Sequence, residues 1–231
     1  KVETATPWRA ALDDPRLPGA VWFPGATLNY TAHVMRHVRP GRAAIRHEAE
    51  DGTLTDLDWE TLRDRTAAVA AGLAALGVRR GDRVVGYLPN TPDTVVAFLA
   101  TASLGAVWSL CAPDMGAATV LERFRQIEPK VLLTASGYAF GGTWRDRSAE
   151  VSELIAGLPT LAAWVSMDAA EAVDDGSLAR TDWAALCASK ERAAPEMLPF
   201  DHPLWIVYSS GTTGTPKAIV HGHGGVMLEH L

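Results

Sequence analysis

The feature that most narrows the fold is an alternation of helix-type and strand-type stretches from residue 58 to residue 134, with a stop signal at each junction. Asp58 is placed to cap a helix starting at Trp59. Behind it Leu62, Thr66, Val69, Leu73 and Leu76 recur every three or four residues, and Gly77 suits a left-handed end. Arg80-Gly81-Asp82 turns the chain into Val84-Val85-Gly86-Tyr87-Leu88, an apolar run of strand composition closed by Pro89-Asn90. Thr91 and Pro92 open a second helix through Val95, Val96, Phe98, Leu99 and Ala102, apolar nearly all round, with Gly105 at its expected end. Ala106-Val107-Trp108-Ser109-Leu110, an amphipathic stretch over 117–127, and Lys130-Val131-Leu132-Leu133-Thr134 continue the series. Such alternation predicts an α/β fold: a layered sheet with parallel, right-handed crossovers and helices on its faces.

Around this centre the chain divides into four expected parts. Residues 1–40 form an opening segment, broken by Pro7, Pro15, Pro18, Gly19, Pro24 and Gly25 before a short helix within 30–38. Residues 41–166 form the α/β subdomain, beginning with a hairpin in which 44–47 and 53–55 flank the turn Glu50-Asp51-Gly52. Residues 167–200, rich in acidic residues, alanine and proline, read as a surface connection with one short helix at 183–190. Residues 201–231 hold a last strand, Leu204-Trp205-Ile206-Val207-Tyr208, and the loop behind it.

Composition excludes several classes of function. With 48% hydrophobic and 21% charged residues in 231, the chain has the balance of a folded soluble protein. A net charge of -6 argues against a surface that tracks nucleic acid, although a small phosphorylated ligand needs only a few aimed donors. Two cysteines, Cys111 and Cys187, make no disulfide framework and no C-x-x-C pair, which fits a reducing cytoplasm. No apolar run reaches the roughly 18–20 residues of a membrane span, and Lys1-Val2-Glu3-Thr4 opens no signal peptide.

The run Ser209-Ser210-Gly211-Thr212-Thr213-Gly214-Thr215-Pro216-Lys217 sits directly behind an apolar strand and is a poor recipe for a core. Gly211 and Gly214 let the backbone approach a ligand closely, the hydroxyls add rotatable donors, and Lys217 adds a compact full charge. Together they match the terminal phosphates of a nucleoside triphosphate. The spacing is not that of a Walker loop, because Thr215 and Pro216 separate Gly214 from Lys217. Ala218-Ile219-Val220-His221 reads as extended, so the loop is expected to join two strands. As composition alone, the same run also fits an ordinary surface turn.

Other constellations carry less. His221-Gly222-His223 has metal-type spacing without a third ligand nearby, and His33 and His37 have Val34 where a metalloprotease helix needs glutamate; no metal site is expected at either. Eight tryptophans are scattered, which suits core and interface anchors, with Trp108 and Trp205 near strand ends. Arg145-Asp146-Arg147 lies in an expected loop, as a solvated cluster or as an anion contact.

The ordered pattern of residues 208–217 resembles the phosphate-loop signature of the adenylate-forming superfamily, [ST]-S-G-[ST]-T-G-x-P-K-G. It departs only at the last position, where Ala218 replaces glycine. That alanine, with His202-Pro203-Leu204-Trp205 before the loop and His221-Gly222-His223-Gly224-Gly225 after it, is similar to the acetoacetate-activating branch. Trp22-Phe23-Pro24-Gly25-Ala26-Thr27-Leu28-Asn29-Tyr30 resembles the opening segment of acetyl- and acetoacetyl-CoA synthetases. Gly81-Asp82-Arg83-Val84 and Gly105-Ala106-Val107-Trp108-Ser109 resemble their first core motif.

The resemblance implies an ATP-dependent acid–thiol ligase forming acetoacetyl-CoA through an acyl-adenylate, with release of AMP and pyrophosphate. Ser209, Ser210, Gly211, Thr212, Thr213, Gly214, Thr215 and Lys217 would hold the ATP phosphates, Lys217 as catalytic countercharge, with Mg2+ as their partner. In related acetyl-CoA synthetases a basic pair meets the CoA 3′-phosphate. The aligned positions here are Phe140 and Thr143, which moves the expected CoA contact to Arg145 or Arg147. The adenine motif, the ribose aspartate and the C-terminal domain with its catalytic lysine are not found in these residues. The chain is therefore expected to be an N-terminal portion, unable to adenylate acetoacetate alone. Two other readings stand beside this one: a synthetase for acetate or another short acid, and a nucleotide- or partner-binding module without turnover.

Overall fold

The computed structural model describes residues 2–168, 178–210 and 214–230. The opening segment pairs β1 (Leu12–Asp14) with β2 (Val21–Trp22) and leads through β3 (Thr27–Leu28) into α1 (Tyr30–Met35). Asn29 locks this segment to the body. Its side-chain oxygen caps α1 by accepting from the N–H groups of Thr31 (2.8 Å) and Ala32 (3.3 Å), while its amide donates to the carbonyls of Ala102 (3.0 Å) and Glu196 (2.9 Å). Because Asn29 is only 2% exposed, Asn29→Ala strands buried groups at both ends. We expect it to cost about 2 kcal/mol in urea unfolding; a loss well under half that figure would show that the segment is not tied down here.

A hairpin of β4 (Ala43–Glu48) and β5 (Leu54–Asp58) turns at Gly52, as its Asp-Gly pair implied. Asp58 then caps α2 (Trp59–Ala75), accepting from the Thr61 N–H at 2.6 Å. The expected stripe faces inward, with Leu62, Thr66, Val69 and Leu73 all buried. After β6 (Arg83–Tyr87), α3 (Pro92–Ser103) starts on the Thr91 cap with Pro92 in its first turn. Both helices end on a left-handed glycine: Gly77 and Val78 donate back to the carbonyls of Ala74 and Leu73, and Gly105 and Ala106 to those of Ala102 and Thr101.

The chain continues through β7 (Val107–Cys111), α4 (Ala117–Phe124), a 3-10 turn at Arg125–Ile127, β8 (Val131–Thr134), the hairpin β9 (Gly137–Phe140) and β10 (Thr143–Asp146), and α5 (Ser148–Gly157). Then follow β11 (Ala163–Ser166), β12 (Ala179–Asp182), α6 (Trp183–Cys187), β13 (Leu198–Pro199), β14 (Pro203–Ser209), β15 (Lys217–Gly222) and α7 (His223–Glu229). Seven strands form one sheet in the order β12-β11-β8-β6-β7-β14-β15. All neighbours are parallel except β14 and β15.

Adjacent residues in a strand point to opposite faces, so doublets such as Val84-Val85 and Leu132-Leu133 feed two cores. Val84, Leu133 and Val165 pack against Leu73, Val96, Leu99 and Trp183 from α2, α3 and α6. Val85, Leu132 and Ile206 pack against Val120, Phe124 and Leu154 from α4 and α5. Among the described residues, no helix is long and apolar enough to cross a membrane.

Several elements differ from what the sequence suggested, β13 within the expected connection among them. Within the stretch expected to be a connection with one short helix, α6 is present, but β12 also joins the sheet edge in parallel with β11. Its residues, Ala-Arg-Thr-Asp, are mostly exposed, as befits an edge strand, and so lack the alternating apolar signal. Arg145 and Asp146 lie on β10, not in a loop.

Candidate functional site

β14 carries the loop out of the core. Leu204 and Ile206 are buried, Trp205 pairs with Trp108 of β7, and the Ser109 hydroxyl donates to the Ile206 carbonyl at 2.9 Å. β15 returns antiparallel, so that Ser209 and Lys217 face each other across the ladder. The loop joins two strands, as read from the extended run that follows it. Gly211, Thr212 and Thr213 lie outside the described residues. Gly214 has φ +93° and open space around it, so its lack of a side chain serves backbone conformation and not packing. Ser210, Gly214, Thr215 and Lys217 are exposed, whereas Pro216 is buried.

The stems of the loop are fastened to the end of α4 and to the 3-10 turn behind it. The Tyr208 hydroxyl donates to the Arg123 carbonyl at 2.9 Å, and the Arg123 guanidinium lies 5.9 Å from the centre of the Tyr208 ring. Burial pushes the Tyr208 phenol up to about 12, so it remains a neutral donor. On the return side, the Gln126 amide donates to the Pro216 carbonyl at 3.0 Å. Sequence reasoning found the amphipathic stretch of α4 but not these contacts.

The two arginines proposed as anion contacts differ in how they are held. Arg147 is engaged: it donates to the Pro113 carbonyl at 2.7 Å and to Glu150 at 2.9 Å, and its guanidinium lies over the Tyr138 ring at 5.4 Å. Arg145 is exposed on β10, opposite Tyr138. The hairpin turns at Gly141 and Gly142, and the Gly141 N–H donates to the Glu50 carboxylate at 2.7 Å, joining it to the β4–β5 hairpin.

Between these hairpins lies a cavity of about 820 Å³, bordered by Leu88, Ala112 and Ala135 just beyond the carboxyl ends of β6, β7 and β8. This is where open α/β sheets place ligands. Its rim is acidic, with Glu50, Asp93 and Asp114, and Trp144 lies against it, while Arg145 and Arg147 are not part of the lining. The sequence held a partial sign of it in the polar turns that follow each strand.

The histidines of the His221-Gly222-His223 run differ in setting. His221 is exposed on β15, whereas His223 is completely buried, and its Nδ1 accepts from the Tyr30 N–H at 3.0 Å. Burial lowers the His223 pKa to about 3, so the ring stays neutral near pH 7. The His33 and His37 rings lie 5.9 Å apart. Among the described residues no group of three or more His, Cys, Asp or Glu is placed to hold a metal ion. Of the two tryptophans near strand ends, Trp108 is buried and Trp205 packs with it around Phe98.

A strand-to-strand loop rich in glycine and hydroxyls thus ends in an exposed lysine at the edge of an α/β sheet. The chain belongs to the AMP-binding enzyme family, whose model matches residues 34–230. Among its relatives, an acetoacetyl-CoA synthetase of Macaca fascicularis is 39% identical over 223 residues, covering 91% of this chain and 33% of that protein. An acetoacetyl-coenzyme A synthetase of Rhizobium meliloti (strain 1021) is 39% identical over 230 residues, covering 96% of this chain and 35% of that protein. The solved structure of acetoacetyl-CoA synthetase from Streptomyces lividans superposes with a TM-score of 0.94 at 50% identity, over 99% of this chain and 35% of that one. The chain thus spans about a third of the length of the curated relatives it matches.

Proposed function

We propose that the protein, at its full natural length, is an ATP-dependent acid–thiol ligase joining acetoacetate to CoA. The observation that carries this reading is the opposition of Ser209 and Lys217 at the mouth of a loop bearing the superfamily signature. The relatives' names supply the acid. In the first half-reaction an acetoacetate oxygen attacks the α-phosphorus of ATP, and the bond to pyrophosphate breaks. In the second, the CoA sulfur attacks the acyl carbon and AMP departs.

Negative charge builds on the leaving pyrophosphate. By the superfamily signature, Ser209, Ser210, Thr212, Thr213 and Thr215 would offer hydroxyls to it, the glycines at 211 and 214 would permit close approach of the backbone, and Lys217 would offer a full charge. Donors fixed before the reaction stabilise such charge without reorganising. The loop stems supply hydroxyls and an ammonium group but no carboxylates. Mg2+, if bound, would be held mainly by the phosphates and would neutralise their charge.

For CoA, the acidic rim of the cavity disfavours a phosphate inside it, while the exposed Arg145 offers a cation on the adjoining hairpin; Arg147, already engaged, braces that hairpin. Two free thiols, Cys111 and Cys187, fit the cytoplasm. A pyrophosphate-release assay on the full-length protein with a panel of carboxylates tests the acid. We expect kcat/KM for acetoacetate to exceed that for acetate by roughly tenfold or more, about 1.4 kcal/mol of discrimination. Equal values would contradict the assignment.

A further inference from the structure

Neither stem of the loop is held by the sheet alone: Tyr208 is fastened to Arg123 on α4 and Pro216 to Gln126 in the 3-10 turn behind it, and that turn is itself fixed from the core. Arg83, the first residue of β6, donates to the carbonyls of Ile127 (2.5 Å) and Glu128 (2.8 Å), and Arg125 donates to the Gly157 carbonyl at 2.9 Å. Ile127 is buried and Glu128 adopts φ +49°, so the 3-10 turn is pinned on both sides. From this turn Gln126 reaches the loop. Its amide nitrogen carries two hydrogens: one goes to the Glu122 carbonyl at 2.8 Å, which fixes the side chain, and the other to the Pro216 carbonyl at 3.0 Å. Pro216 is buried and directly precedes Lys217.

We infer that Gln126 is a positioning residue for the phosphate-binding loop. It sets where Lys217 leaves the bend, in partnership with Tyr208 on the incoming strand. This rests on the loop's role proposed above. Gln126 itself is exposed, so its removal leaves no cavity, and the group it unpairs at the loop is the Pro216 carbonyl, in a hydrogen bond that is only partly buried. The effect should therefore appear in the use of ATP and not in stability, which a purely structural glutamine would not show.

Gln126→Met keeps the length of the side chain, removes both donors and adds no charge to repel phosphate. In the full-length protein we expect it to raise the KM for ATP in acetoacetate-dependent pyrophosphate exchange by roughly three- to tenfold, the scale of one hydrogen bond. The KM for CoA should change by less than about twofold and the melting temperature by less than about 2 °C. Tyr208→Phe, which removes the other fastening, should move the KM for ATP in the same direction. An unchanged KM for ATP in Gln126→Met, or equal rises for ATP and CoA with a fallen melting temperature, would overturn the inference. Lys217→Ala in the same assay separates the two claims. If it impairs ATP use and Gln126→Met does not, the positioning role fails alone; if neither does, the reading of the loop fails with it.

Discussion

Lys217→Ala should lower kcat/KM for ATP in acetoacetate-dependent pyrophosphate exchange by about 10²–10³-fold, the usual scale for removing one fixed donor from developing charge. Lys217 opens β15 opposite Ser209, and its side chain is exposed at the sheet edge. It fills no core, so the melting temperature should hold while turnover falls. Lys217→Arg keeps the charge but broadens it into a planar fork, and should recover only part of the rate. Loss of activity accompanied by unfolding would instead mean that Lys217 supports the strand pair.

Phe124→Ala should destabilise the protein by about 3–5 kcal/mol, the cost of emptying a large aromatic site in a core that only partly collapses. Phe124 is the last residue of α4 and is completely buried among Val120, Leu132 and Leu154. It lies beside Arg123 and Gln126, whose groups fasten the two loop stems. The same substitution should therefore weaken use of ATP at temperatures where the protein is still folded. Urea unfolding gives the first quantity and the KM for ATP the second. A loss below about 1 kcal/mol would show that α4 is not packed as described.

What could be read from the sequence was local. Asp58, Thr91 and Pro92 mark helix starts and Gly77 and Gly105 mark helix ends because each acts on backbone groups within a few residues. Val84-Val85 and Leu132-Leu133 announce central strands because burial on both faces needs no alternation. The proposed phosphate loop rests on the same kind of local signal, since its glycines, hydroxyls and lysine lie in one short run. The features that escaped depend on distant partners. β12 becomes a strand through pairing with β11, and nothing in Ala-Arg-Thr-Asp requires it. Gln126 and Pro216 are 90 residues apart, and Tyr208 and Arg123 are 85 apart, so only the folded sheet brings either pair together. The cavity is assembled from the ends of four strands, the start of α3 and two hairpins, which no single stretch reveals.

A crystal structure of the full-length protein with a non-hydrolysable ATP analogue offers the most direct measurement. We expect the terminal phosphates to lie within about 3 Å of Lys217 Nζ and of the loop's hydroxyl or N–H groups. A nucleotide bound elsewhere, with Lys217 turned to solvent and the bend empty, would contradict it.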